Sequence, residues 1–118
     1  MVLIVTAGLI LFSVKGNAEQ KCVSPAFAVQ NVSIDEISDT GTQAREFGIS
    51  NASIRAFERV LKRLLLSKED VSEIISKVEP SDYLSYLHIH NETTLARRYL
   101  GEIDFCFDAR EVRALFRW

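Results

Sequence analysis

Residues 83–107 read YLSYLHIHNETTLARRYLGEIDFCF, and this stretch decides the fold class. Two strand-like runs, Tyr83–His90 and Arg97–Phe107, flank the polar tetrad Asn91-Glu92-Thr93-Thr94, which reads as the turn of a β-hairpin. Side chains alternate between the two faces of a strand, so the position of the turn sets which residues share a face. With the turn centred near Thr93 or Thr94, Leu87 and Ile89 fall on one face with Tyr99, Ile103, Phe105 and Phe107. The other face then carries His88, His90, Arg98, Glu102, Asp104 and Cys106. One apolar and one polar face describe a half-covered antiparallel sheet.

Working outward, residues 26–37 supply another strand, with Phe27 and Val29 in one phase and Val32 and Ile34 in the other. The change of phase between Val29 and Val32 requires a bulge. Thr40 with Gln43 is a capping-box start for a helix spanning about 41 to 66. Its apolar positions Ala44, Phe47, Ile54, Phe57, Leu61, Leu64 and Leu65 are expected against the sheet. Gly48, Ala52 and Ala56 permit close backbone approach, and the Gly48–Asn51 region is a candidate kink or break. Ser67 caps a second helix with a Val71, Ile74, Ile75 and Val78 stripe, which Pro80 ends. Asp108 and Glu111 open a last short helix with Val112, Leu115 and Phe116 inward. The order β-α-α-β-β-α predicts an α+β fold, a small antiparallel sheet with helices packed on one face.

The composition fits one domain: 118 residues, 47% hydrophobic and 25% charged, with no internal repeat. The N-terminus stands apart. Val2–Val14 is an uncharged run of 13 residues, too short for a spanning helix, which needs roughly 20 apolar residues. It suits the apolar core of a secretory signal, with Gly16 and Ala18 as the small residues before a cut after Ala18. No Lys or Arg precedes the run, which leaves a retained membrane anchor or a buried N-terminal strand as alternatives. Glu19-Gln20-Lys21 is too polar a lead into Cys22 for lipid attachment. The expected division is a signal at 1–18, a short leader at 19–25 and a single α+β domain at 26–118.

Losing residues 1–18 removes Lys15 and leaves 13 basic against 16 acidic groups, net −3. That balance provides no electrostatic footprint for nucleic acid or an anionic membrane surface. A membrane role is expected only through an uncleaved signal. Export would carry Cys22 and Cys106 into an oxidising compartment, where an intramolecular disulfide, two free thiols or an intermolecular bridge are all open. The intramolecular bond would close a loop of about 84 residues and contribute roughly 4–5 kcal/mol on chain entropy.

Candidate chemistry is sparse. His88-x-His90 places two imidazoles on one strand face, about 7 Å apart, where Glu102, Asp104 or Cys106 could add a third metal ligand. Polar histidines on the solvent side of a sheet explain the same letters. No G-x-S-x-G elbow is present, and a Cys–His nucleophile would require Cys106 beside His88 or His90. The carboxylate pairs Asp35-Glu36, Glu69-Asp70 and Glu102-x-Asp104 read as solvated charge, and Gly101 reads as a point of close backbone approach. Arg110, Arg113 and Arg117 line the last helix, and with Trp118 they form a candidate partner surface. N-x-S/T sequons begin at Asn31, Asn51 and Asn91, as accidents of composition. No cofactor is expected, and the sequence sets no oligomeric state.

The pattern Val29-Gln30-Asn31-Val32, Gln43-Ala44-Arg45-Glu46, Ala56-Phe57 and Val60–Leu64 continues with Arg98-Tyr99-Leu100-Gly101, Phe107-Asp108 and Val112–Leu115. It resembles the opening segment of domain-of-unknown-function family 2066, exported proteins of Gram-negative bacteria, over roughly residues 27–117. Members run well beyond this segment, so the resemblance implies a shortened member. It implies a periplasmic or secreted address and no established activity. The expected function is a non-enzymatic periplasmic accessory or protein-binding domain. The alternatives are a short secreted protein acting on a partner outside the cell, or a metal-binding protein using His88 and His90. In a Gram-negative host, intact mass of the periplasmic product is expected to show a chain beginning at Glu19. A membrane-bound product beginning at Met1 would replace cleavage with an anchor.

Overall fold

Two hydroxyls and a carboxylate set where the helices begin. Thr40 accepts a hydrogen bond from the Gln43 amide and opens α1, Gly41–Arg63. Ser67 accepts from the Asp70 amide and opens α2, Lys68–Lys77. Asp108 accepts from the amides of Arg110 and Glu111 and opens α3, Ala109–Ala114. Each satisfies donors that the first helical turn leaves over. The Thr40–Gln43 box is half made, because the Gln43 carbonyl oxygen accepts from the Ser38 hydroxyl instead of reaching back to Thr40.

The computed structural model describes residues 22–64 and 67–116; the expected signal at 1–18, Leu65, Arg117 and Trp118 lie outside them. Strands β1 (Ala28–Ile37), β2 (Leu84–Thr94) and β3 (Arg98–Phe107) form one antiparallel sheet in the order β1-β3-β2. The chain order β1-α1-α2-β2-β3-α3 is the expected α+β arrangement. Short 3-10 turns at Pro25–Phe27 and Pro80–Tyr83 lead into β1 and β2. No helix among the described residues is long and apolar enough to cross a membrane.

The hairpin turn is not where the sequence suggests. β2 runs on through Asn91–Thr94, and the chain reverses at Leu95-Ala96-Arg97, where the Leu95 amide donates to the Arg98 carbonyl at 2.7 Å. Between His90, opposite Glu102, and Thr93, opposite Leu100, Asn91 and Glu92 share the single residue Gly101. This one-residue slip corrects the phase, so His88 and His90 lie opposite Asp104 and Glu102 while Leu87 and Ile89 lie opposite Phe105 and Ile103. The bulge expected in β1 is present, with Gln30 and Asn31 sharing Asp104 between the Val29–Phe105 and Val32–Ile103 pairs. Among the described residues Asn31 and Asn91 are the ones at positive φ, 59° and 55°, a conformation asparagine tolerates better than most.

Helix α1 lies over β1 and β3 without a break. Ala44, Gly48, Ala52 and Ala56, four apart, form the row that meets the sheet, and all are buried. A Cβ at Gly48 would stand 2.5 Å from Ile34 Cγ2, so the backbone is there as close as glycine allows. Phe47 and Ile54, expected inward, are instead 49% and 36% exposed. Each residue step turns about 100° round a helix. With the small-residue row facing the sheet, the flank carrying Phe47 and Ile54 points to solvent. Further along, Phe57 packs 5.4 Å from the Tyr83 ring and 5.3 Å from Phe107. The α2 stripe is shallow, with Val71 buried and Ile74, Ile75 and Val78 half-buried at the core margin. Phe116, expected inward, is 39% exposed, while Val112 and Leu115 are buried.

Of the cysteine states the sequence leaves open, the structure has the intramolecular one. Cys106 alternates with core residues Phe105 and Phe107 and therefore faces away from the helices. The 3-10 turn before β1 brings the leader back so that Cys22 bonds it, with Cα atoms 5.4 Å apart. The closed loop spans a sequence separation of 84. Replacing both cysteines by serine, or adding reductant, is expected to lower unfolding stability by up to about 4–5 kcal/mol in urea titrations. Equal stability with and without the bond would show that the chain-entropy account does not hold for this loop.

Candidate functional site

Two bulges bring side chains from all three strands onto the outward face of the sheet. Asp104 lies at the centre. Its Oδ1 accepts a 2.8 Å hydrogen bond from the Asn31 amide of the β1 bulge and stands 3.3 Å from His90 Nε2 on β2. Glu102 Oε1 accepts from Asn91 Nδ2 at 2.9 Å and lies 3.5 Å from His90 Nδ1. The two asparagine contacts are firm and the histidine contacts long by hydrogen-bond standards. Asp104 thus ties both outer strands to β3. The His88 ring stacks on His90, centroids 5.5 Å apart. Further along the same face Arg98 donates from Nε and Nη2 to the two oxygens of Asp35 at 2.9 and 2.8 Å. That bidentate contact holds the Asp35 carboxyl below its ordinary range and raises Arg98.

The sequence therefore assembles His88, His90, Glu102 and Asp104 correctly on one face. Metal binding is a different matter. Among the described residues no group of three or more His, Cys, Asp or Glu side chains could hold a metal ion. His90 directs its nitrogens at the two carboxylates beside it, and the Cys106 sulfur is bonded to Cys22. Cys106 is accordingly neither a third ligand nor a thiol nucleophile for either histidine.

The opposite face holds a polar cluster that sequence reading misses. The bulge swings Glu92 inward, where Oε1 accepts from the Tyr99 hydroxyl at 2.5 Å and from Arg45 Nε at 2.9 Å. The Arg45 guanidinium carbon lies 5.8 Å from the centroid of the Tyr99 ring. Tyr99 is fully buried, and its ring lies within 3.4 Å of where a Gly101 Cβ would be, which is the close approach that glycine permits. Burial, then the Glu92 carboxylate, push the Tyr99 hydroxyl up to about 12. Hydrogen bonds from Tyr99 and Arg45 hold Glu92 down, and Glu92 in turn raises Arg45. All three groups move away from neutrality, so none is poised to exchange a proton near pH 7. The one legible signal was Tyr99 itself, since a tyrosine on the core face needs a partner for its hydroxyl.

The basic surface expected on the last helix is only partly assembled. Arg113 lies over the Phe27 ring, 5.3 Å from its centroid, and packs the helix to the leader of β1. Arg110 is exposed, and Arg117 and Trp118 lie outside the described residues. A groove of about 400 Å³ runs between α2 and the end of α3, lined by Asp70, Glu73, Ile74, Lys77, Leu115 and Phe116 among others.

No family model matches the chain, and no curated protein or solved structure shows significant similarity to it. The likeness to family 2066 rests on the residues quoted above.

The raised Tyr99 fixes a sign for pH dependence. A proton bound more tightly in the folded chain stabilises it below the unfolded tyrosine range, near 10. That contribution is lost as pH rises through the folded value of about 12. Unfolding stability is expected to fall across this alkaline window, and Tyr99→Phe is expected to be less stable at neutral pH but to lack the fall. Parallel pH profiles for the two proteins would remove the Tyr99–Glu92 account.

Proposed function

We propose that this chain is a non-enzymatic accessory domain, exported to the periplasm, that binds another protein through the outward face of its sheet. The observation that carries the reading is the one-sided helix layer. The helices pack on the core face, and the reverse presents His88, His90, Arg98 and Asp35 in a row held by main-chain and side-chain hydrogen bonds. Prearranged polar groups on a rigid sheet recognise a partner without the ordering cost that a loop would carry. The Cys22–Cys106 bond supports an oxidising compartment, because such bonds do not persist in most cytosols. Membership of family 2066 belongs to the same proposal and agrees with that address.

The test is capture from a periplasmic extract with the mature chain as bait. A triple variant, His88→Ala, His90→Ala and Arg98→Ala, is expected to keep its fold and lose the partner that the parent retains. Arg98 and Asp35 are exposed, so their pairing contributes little to stability. Retention of the same partner by the variant would move the binding surface elsewhere. Specific turnover by the purified protein would overturn the non-enzymatic reading.

A further inference from the structure

One row of like charge on α1 has no counterpart within the fold. Arg55, Arg59 and Arg63 stand four residues apart, so they line one face of the helix with about 6 Å of rise between neighbours. All three are exposed. Arg55 donates from Nη2 to the Ser33 carbonyl at 3.0 Å, and Arg63 donates from Nη1 to the carbonyls of Ala26 and Ala28 at 3.2 and 2.5 Å. Main-chain oxygens of β1 and of the turn before it therefore hold the two outer guanidiniums in place. Arg59, between them, makes no hydrogen bond or ion pair among the described residues.

The acids nearby do not neutralise the row. From Arg55 to Arg63 the helix carries a single carboxylate, Glu58, and Lys62 meets it at 3.5 Å. Among the described residues no carboxylate lies in ion-pair range of Arg55, Arg59 or Arg63. A guanidinium has more N–H donors than these carbonyl contacts use. The donors left over suit a carboxylate, which arginine engages through two parallel hydrogen bonds. The spacing selects a shape as well. Alternate side chains of an extended peptide point the same way and recur at about 6.6 Å, close to the step of the row. The chain as a whole carries a net charge of −2, so it repels a broad anionic surface, whereas a narrow segment meets only the row.

We propose that Arg55, Arg59 and Arg63 form a docking row for an extended acidic segment of a partner protein, with Asp or Glu at alternate positions. The row belongs to the helix layer, so the proposal stands independently of binding through the outward face of the sheet. Two of its three arginines are already placed, which lowers the ordering cost of the contact. The ion pairs it forms are exposed and each contributes little, so the segment is held weakly and its binding is sensitive to salt.

The test is fluorescence anisotropy with the full mature chain and a labelled peptide of alternating Glu and Ser. The peptide is expected to bind at low ionic strength and to lose affinity roughly tenfold at physiological salt, while a Gln-Ser peptide of the same length does not bind. Arg59→Glu removes no contact of the fold, so its urea midpoint is expected to stay unchanged while its affinity falls roughly tenfold. Arg59→Lys keeps the charge without the planar fork and is expected to fall between the two. Arg97→Glu makes the same change of net charge at the hairpin turn and is expected to stay within about twofold of the parent. A Glu-Ser peptide that binds no better than the Gln-Ser control, or an equal loss in Arg59→Glu and Arg97→Glu, would overturn the proposal. A peptide with as many Glu residues at every third position alternates them between two sides and is expected to bind less tightly; equal affinity would overturn the spacing. Retention on vesicles of phosphatidylglycerol and phosphatidylcholine, with no binding of the peptide, would assign the row to a lipid surface and end the protein-segment reading.

Discussion

Antiparallel pairing fixes which side chains reach the helices only once the phase between strands is set, and a slip of one residue reverses every assignment. Here β3 is kept in phase with β1 by one extra residue and with β2 by two, at Ser85 and at Asn91–Glu92. Carry the pairing of Thr93 with Leu100 back along β2 without the slip, and Ile89 meets Asp104 while His90 meets Ile103. The aliphatics of β2 would then face solvent and its histidines the core. Without the Gln30–Asn31 slip, the Val32–Ile103 pairing would carry Val29 to Cys106 and off the core face. The core of Val29, Phe105, Ile103 and their neighbours therefore depends on two left-handed asparagines. The structure secures them locally: the Asn31 amide is bonded to Asp104, Asn91 to Glu102, and Glu92 to Tyr99 and Arg45.

This also explains what could be read from the letters. The faces of the hairpin were legible although its turn was misplaced, because a turn centred near Thr93 or Thr94 and the true turn followed by a bulge give the same parity. The chain in effect offered two different geometries with one alternation. Helix starts at Thr40, Ser67 and Asp108 were legible because capping is a matter of three or four adjacent residues. The outward cluster of His88, His90, Glu102 and Asp104 followed from alternation alone.

What stayed hidden depends on distance of approach or on long-range meeting. Hydrophobic spacing says that Phe47 and Ile54 are apolar, but not that Gly48 and its small neighbours bring α1 so close to Ile34 that the helix face is settled by them. Nothing in the sequence separates the three cysteine states, since the Cα distance depends on how the leader returns over the sheet. The Arg45–Glu92–Tyr99 cluster joins a helix to two strands through a bulge, and its central residue reads as a turn former until the bulge is known.

The disulfide has a mechanical consequence. Among the described residues Cys22 precedes every element, and Cys106 sits near the end of β3, so the covalent ring encloses both α1 and α2 and nearly the whole sheet. Tension applied between the leader and α3 passes through the sulfur–sulfur bond and does not enter the intervening chain. Such tension would detach α3, but the sheet and its two longer helices would carry no load. The fold is in this sense a sealed bead on a line, and a single peptide cut inside the ring would leave its pieces joined.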